Sequence, residues 1–121
     1  MATTDLTATT FDDTIADNDV VLVDFWASWC PPCRQFAPTY EAASEKNTDF
    51  VFGSVNTEEQ QDLSVRFGIT SIPTLMVFRD QVLLYQQAGA LPAPALDKLI
   101  EQVRAIDMDK VREEIAAGSA G

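Results

Sequence analysis

Val20-Val-Leu-Val-Asp-Phe-Trp-Ala-Ser-Trp-Cys-Pro-Pro-Cys33 is the stretch that decides how the rest of the chain is read. Its first six residues form an almost unbroken β-branched and aromatic run, the pattern of a strand buried on both faces in the middle of a sheet. Only Asp24 interrupts that apolarity. The cysteines follow where the strand has ended and where Pro31 and Pro32 suit the opening turn of a helix. Phe36, Tyr40 and Ala43 then recur at helical spacing, which predicts a helix from Pro31 to Lys46 that bends near Pro38 and stops at Asn47.

Working outward from this segment, the chain alternates strand and helix patterns. Upstream, Thr10-Phe-Asp-Asp13 offers an N-cap hydroxyl with acids in the first turn, so a short helix is predicted over Phe11 to Asp17 with Phe11 and Ile15 inward. Downstream, Phe50 to Val55 reads as a second buried strand. Glu58 to Phe67 reads as an amphipathic helix closed by Gly68, with Leu63 and Phe67 inward. Thr74 to Phe78 and Val82 to Tyr85 are short apolar runs joined by Arg79-Asp-Gln81, an antiparallel hairpin. Pro94 opens a last long helix in which Leu96, Leu99, Ile100 and Val103 line one face against the sheet.

These elements fit one domain. The 121 residues are 46% hydrophobic, enough for a single real core, and show neither an internal repeat nor a linker. The domain is placed at residues 1–106. Residues 107–121 are an extension: a weakly amphipathic surface helix that Val111 and Ile115 could dock, then a flexible Ala/Gly/Ser-rich tail. A partner-binding extension is the alternative.

Composition narrows the function. Eight Lys+Arg against 19 Asp+Glu leave a formal net charge of −11, which repels phosphate backbones and anionic membrane surfaces. Nucleic acid and membrane are therefore not expected partners. The acidity reads first as a solvated surface, with steering of a basic partner as the alternative. The start, Met1-Ala-Thr-Thr-Asp-Leu6, lacks the basic and apolar regions of a secretory signal, and no segment reaches transmembrane length, so a cytoplasmic location is expected. In a reducing compartment, two cysteines three positions apart are poor staples, because so short a loop constrains the unfolded chain little. Reactivity explains them better. Zinc would need about four N/S ligands, and two cysteines with no histidine supply them only if two chains pool their thiolates.

The chemistry follows from position. With Cys30 as helix N-cap, its sulfur can accept from the Cys33 backbone N–H while the helix dipole favours negative charge there, and both effects lower its pKa. Cys30 is thus expected to attack. Cys33, one turn inside and more buried, is expected to resolve the mixed disulfide. Two sulfurs at this spacing meet disulfide geometry with little backbone movement.

Val23-Asp-Phe-Trp-Ala-Ser-Trp-Cys-Pro-Pro-Cys33, Phe67-Gly-Ile-Thr-Ser-Ile-Pro-Thr-Leu75 and Ala88-Gly-Ala90, in this order and spacing, resemble the signature segments of the thioredoxin family over roughly residues 5 to 105. The resemblance implies a thioredoxin-like α/β fold, a central mixed five-stranded sheet with helices on both faces. It implies a monomeric dithiol reductase of protein disulfides that binds no cofactor beyond its redox-active Cys30–Cys33 pair. An NADPH-dependent flavoprotein, thioredoxin reductase, would regenerate it. Ile72-Pro73 resembles the family's cis-proline loop facing the disulfide. Trp29, Ile72, Pro73, Gly89 and Ala90 would form a shallow apolar groove around Cys30 for substrate, with Gly89 leaving backbone room. Asp24 resembles the buried carboxylate beneath the second cysteine, its pKa raised by desolvation and suited to exchange protons with Cys33. A buried Asp satisfied by backbone donors is the alternative. Trp26 is read as packing under the active-site loop, and Phe25, Phe36 and Phe78 as core.

Three positions depart from the family pattern. Pro31 stands where glycine is common; the cap survives it, but Pro32 pushes Pro31 away from helical dihedrals, and strain on either redox state moves the potential. Ser54 stands where many thioredoxins carry a lysine beside the aspartate, so a higher Asp24 pKa than in a lysine-bearing relative is expected. Asp80-Gln81 replaces the usual Asn-Gly, and because glutamine is costly at a left-handed position another turn type is expected. Two other functions stay open: a more oxidising oxidant or isomerase favoured by Pro31-Pro32, and a non-catalytic binding module.

Overall fold

A computed structural model describes residues 3–120. The chain runs β1 (Thr3–Asp5), α1 (Phe11–Asp17), β2 (Val20–Trp26), α2 (Pro31–Lys46), β3 (Val51–Asn56), α3 (Gln61–Arg66), β4 (Thr74–Arg79), β5 (Val82–Ala88), α4 (Ala93–Ala105) and α5 (Met108–Ala120). The strands form one five-stranded sheet in the order β1-β3-β2-β4-β5. β3 pairs parallel with β1 and β2, whereas β4 pairs antiparallel with β2 and β5. The sheet is therefore mixed, with β2 at its centre.

Side-chain alternation on β2 divides the core into two layers. Val20 and Leu22 point to one face, where they pack with Phe36 and Tyr40 of α2 and with Leu96, Ile100 and Val103 of α4. Val21, Val23 and Phe25 point to the other, where they meet Phe11 and Ile15 of α1 and Leu63 of α3. Phe67 joins this second layer, its ring 5.2 Å from that of Phe11. By the same alternation Asp24 shares the face of Leu22, beneath α2.

Several local expectations need correction. β1 escaped the sequence reading because only three residues pair, two of them exposed; Met1 and Ala2 of the N-terminal segment lie outside the described residues. The Thr10 hydroxyl does not cap α1, because it accepts from the Thr7 amide at 3.0 Å. α3 starts at Gln61 rather than Glu58, because Asn56 holds the preceding residues in a turn: its Oδ1 accepts from the Glu58 amide and its carbonyl from those of Glu59 and Gln60. Gly68 follows α3 with φ +63°. Pro38 lies inside α2 without dividing it.

The hairpin turn departs most from expectation. Asp80 and Gln81 both adopt positive φ, 51° and 68°, the left-handed pair that the glutamine argued against. Tertiary contacts hold it: the Asp80 amide donates to the Asp19 carbonyl at 2.8 Å and Arg112 of α5 donates to Asp80 Oδ2 at 3.0 Å. Next to the turn, Arg79 donates to the Val103 and Ile106 carbonyls at the end of α4. α5 docks through Met108, which is buried, while Val111 is half-buried and Ile115 is exposed. Asp107 Oδ1 accepts from the amides of Asp109 and Lys110 at its start, and the helix continues to Ala120 through the stretch read as a flexible tail.

Candidate active site

β2 ends at Trp26, and the chain turns through Ala27 to Trp29 before α2 begins. Cys30 is the N-cap of α2, extended at φ −90° and ψ 108°, and its Sγ accepts from the Cys33 amide at 3.2 Å. Pro31 and Pro32 occupy the first helical turn, where a missing N–H leaves no partner wanting, and both are exposed. Cys30 and Cys33 are joined as a disulfide with their Cα atoms 5.2 Å apart. Each is 3% exposed, so greater burial of Cys33 does not distinguish the two. What distinguishes them is position: Cys30 takes the cap bond, and Cys33 faces inward onto a cavity. Trp26 and Ile72 pack against the pair with Ala27.

That cavity, about 240 Å³, is bounded by Asp24, Trp26, Cys33, Arg34, Tyr40 and Ser54 among others. Asp24 lines it together with the charged residues Asp5, Arg34 and Glu41. The Asp24 side chain is buried and its Oδ1 meets no hydrogen-bond donor, so the backbone-satisfied alternative does not describe it. Burial in this setting pushes its pKa from 3.8 up to about 7. Tyr40, also buried, has its phenol pKa raised first by burial and then by the Asp24 charge, while its hydroxyl donates to the Gly53 carbonyl at 2.8 Å. Ser54 is in register with Asp24 across β2 and β3, and Asp5 with Ser54 across β1 and β3, so all three side chains share one face.

On the other side of the disulfide, the Ile72-Pro73 peptide is cis, and the Ile72 carbonyl oxygen lies 3.7 Å from Cys30 Sγ. The Gly89 amide donates to the Pro73 carbonyl at 2.8 Å, which ties the two predicted groove loops together. Gly89 takes φ +110°, and no atom lies within 4 Å of where its Cβ would stand; glycine answers a backbone need there and not a close approach. Ala90 is exposed, Ile72 half-buried and Pro73 buried, while Trp29 is 64% exposed. The structure thus gathers the predicted site residues around one disulfide at one edge of the sheet.

Sequence reading missed the surface beside Trp29. Val65, on the outward face of α3, is 80% exposed, and Ser28 donates to Glu58 Oε1 at 3.1 Å. A signal was available: with Leu63 inward, a valine two positions on must face out. Among the described residues no group of three His, Cys, Asp or Glu is placed to hold a metal ion, and no helix is long and apolar enough to cross a membrane.

Comparison with known proteins places this geometry. The sequence profile of the family described as thioredoxin matches residues 2–104. A chain from Streptomyces coelicolor provisionally named thioredoxin 2 is 54% identical over 119 residues, covering 98% of this chain and 89% of that one. Thioredoxin 1 from a Nostoc species is 40% identical over 103 residues, covering 84% and 96%. Among solved structures, a Plasmodium falciparum thioredoxin superposes with a TM-score of 0.76 at 37% identity, over 82% of this chain and 97% of that one. A point mutant of a thioredoxin from Halobacterium salinarum gives 0.79 at 34% identity, over 86% and 92%.

Proposed function

Because the chain belongs to the thioredoxin family, whose members are thiol-disulfide oxidoreductases, we propose that it reduces protein disulfides by cycling Cys30 and Cys33 between dithiol and disulfide. The observation that carries the assignment of roles is the 3.2 Å bond from the Cys33 amide to Cys30 Sγ at the start of α2. A thiolate at Cys30 keeps that donor and the positive end of the helix, so Cys30 is the lower-pKa nucleophile. It attacks one sulfur of the substrate disulfide; the other leaves as a thiolate and takes a proton from solvent. Cys33 then attacks Cys30 Sγ, releasing the second substrate thiol and leaving the Cys30–Cys33 disulfide. Two electrons have passed to the substrate.

Asp24 serves the second step. It lines the same cavity as Cys33, which is large enough for water, and as a carboxylate it takes the Cys33 proton directly or through one water. A pKa of about 7 suits both directions of that exchange near neutral pH. Trp29, Ile72, Pro73, Gly89 and Ala90 form the substrate groove around Cys30. Pro31 and Pro32 make this a Cys-Pro-Pro-Cys variant of the family site, whose stiffness sets the potential. The catalytic domain spans residues 1–106, with 107–121 an appended helical extension. The partners are disulfide-bearing proteins and an NADPH-dependent thioredoxin reductase, and the working form is a monomer in the cytoplasm.

Equilibration with a series of glutathione buffers tests the direction of the reaction. A Cys30–Cys33 potential well below that of glutathione supports a reductase; one equal to or above it assigns the protein to oxidation or isomerisation.

A further inference from the structure

Asp24 is only 4% exposed and its Oδ1 meets no donor, yet the cavity that it lines, about 240 Å³, has room for several waters or a short alkyl chain. The lining passes from buried Asp24 and Tyr40, through half-buried Trp26 and Ser54, to exposed Asp5 and Ala37. A buried, unpartnered carboxyl is thus reached from the surface between β1 and α2. The Ser54 hydroxyl stands beside it, in register across β2 and β3.

The charges around this opening are mostly negative. Asp5 lies on the β1 side, and Glu41 of α2 accepts from the Thr3 hydroxyl at 3.0 Å. Arg34 is the one cation among the lining residues, and it is exposed. Burial alone raises the Asp24 pKa, so the guanidinium leaves the buried charge uncompensated. Once ionised in this setting, Asp24 gains far more from a cation placed against it than from a neutral donor, because charges away from bulk water are weakly screened. Among the described residues no group of three metal-ligating side chains converges, so the cation that fits is organic.

We propose that this cavity binds a primary alkylammonium ion, its N–H groups on Asp24 and the Ser54 hydroxyl and its alkyl chain along Trp26 and Ala37. A primary ammonium brings three donors to these oxygens, whereas a quaternary ammonium brings none. Either a free amine or a lysine side chain of a docked protein carries this chemistry. Binding stands apart from the reductase reading; what rests on that reading is the consequence, that a bound cation holds Asp24 ionised beside Cys33 when the mixed disulfide is resolved.

Titration of the oxidised full chain at constant ionic strength tests it, with propylammonium, neutral 1-propanol, tetramethylammonium and Nα-acetyl-lysine methylamide as probes. The readouts are the Asp24 carboxyl 13C shift and the Cys33 and Ser54 amide shifts. At about pH 8.5, where Asp24 is ionised and the amine still charged, propylammonium is expected to bind about tenfold more tightly than 1-propanol. At about pH 5.5, where Asp24 is protonated, it binds about tenfold more weakly, and by linkage saturating propylammonium lowers the Asp24 pKa by about one unit. Asp24→Asn and Ser54→Lys, each with the Cys30–Cys33 disulfide and circular dichroism of the parent, abolish binding: the first removes the carboxylate, and the second supplies a tethered ammonium. Saturable binding of the lysine derivative as well assigns the site to a protein side chain; binding of propylammonium alone assigns it to a free amine. An Asp24 titration that no amine moves, tetramethylammonium binding as tight as propylammonium, or amine-induced shifts that survive Asp24→Asn overturn the inference. A Cys30–Cys33 potential at or above that of glutathione overturns the reductase reading and leaves the site standing.

Discussion

Asp24 is an acid that the fold holds without a donor, and its energetics are set by that solvent-poor position. An unfolded chain ionises it near 3.8, whereas the folded chain keeps the proton until about 7. Below about pH 4 the acid is protonated in both states and its ionisation costs no stability; as pH rises from there through 7 the folded state loses stability, and above 7 the loss is complete. The raised value corresponds to on the order of 4 kcal/mol. Asp24→Asn is therefore expected to unfold at higher urea than the parent at pH 8.5 and to converge with it near pH 4. Parallel denaturation curves at the two pH values would contradict the burial argument. Ser54, in register with Asp24, supplies no charge. In Ser54→Lys the added ammonium is expected to lower the Asp24 pKa, read from the carboxyl 13C shift, by about one unit or more; an unchanged titration would sink the idea that Ser54 keeps this acid neutral.

At the scale of elements, the β4–β5 turn and α5 depend on one another. Gln81 stands at φ 68°, a conformation that costs a non-glycine residue roughly 1 kcal/mol. Gln81→Gly is expected to stabilise the protein by about that much in urea unfolding, with Asp80 left to keep its bond to Arg112. The sequence argument against a left-handed turn was sound locally and failed because bonds from Asp19 and α5 hold the turn from outside it. α5 itself is anchored by Met108, 5% exposed. Met108→Ala is expected to cost about 2–4 kcal/mol, and a loss below about 0.5 kcal/mol would show that the helix is not docked. Val111 and Ile115 looked like the anchors because periodicity identifies a face but not which end of it meets the domain. The match to the Streptomyces coelicolor relative covers 98% of this chain and so extends into this helix, whereas the family profile stops at residue 104.

For the whole molecule, the legible part of the sequence was the centre. Val20 to Phe25 declared a strand buried on both faces, and the family resemblance pointed to Asp24 beneath the second cysteine; in the structure, alternation along β2 puts it on the side that α2 covers. The cap geometry of Cys30 followed from local chemistry alone. What was not legible depended on contacts remote in sequence: β1, whose pairing with β3 is too short to leave a pattern, and the outward apolar face of α3 beside Trp29. The expected exposure difference between the cysteines failed for a related reason, since both belong to one buried cluster with Ala27 against which Trp26 and Ile72 pack. The asymmetry of the pair therefore rests on the cap bond and on the cavity shared by Cys33 and Asp24.

That asymmetry is tested most directly by trapping. Cys33→Ser and Cys30→Ser variants are each incubated with the same disulfide-bonded protein, and the adducts are resolved by non-reducing mass spectrometry. Cys33→Ser is expected to accumulate a stable mixed disulfide through Cys30, and Cys30→Ser to form one at least about tenfold more slowly. Capture by Cys33 as fast as or faster than by Cys30 would contradict the account.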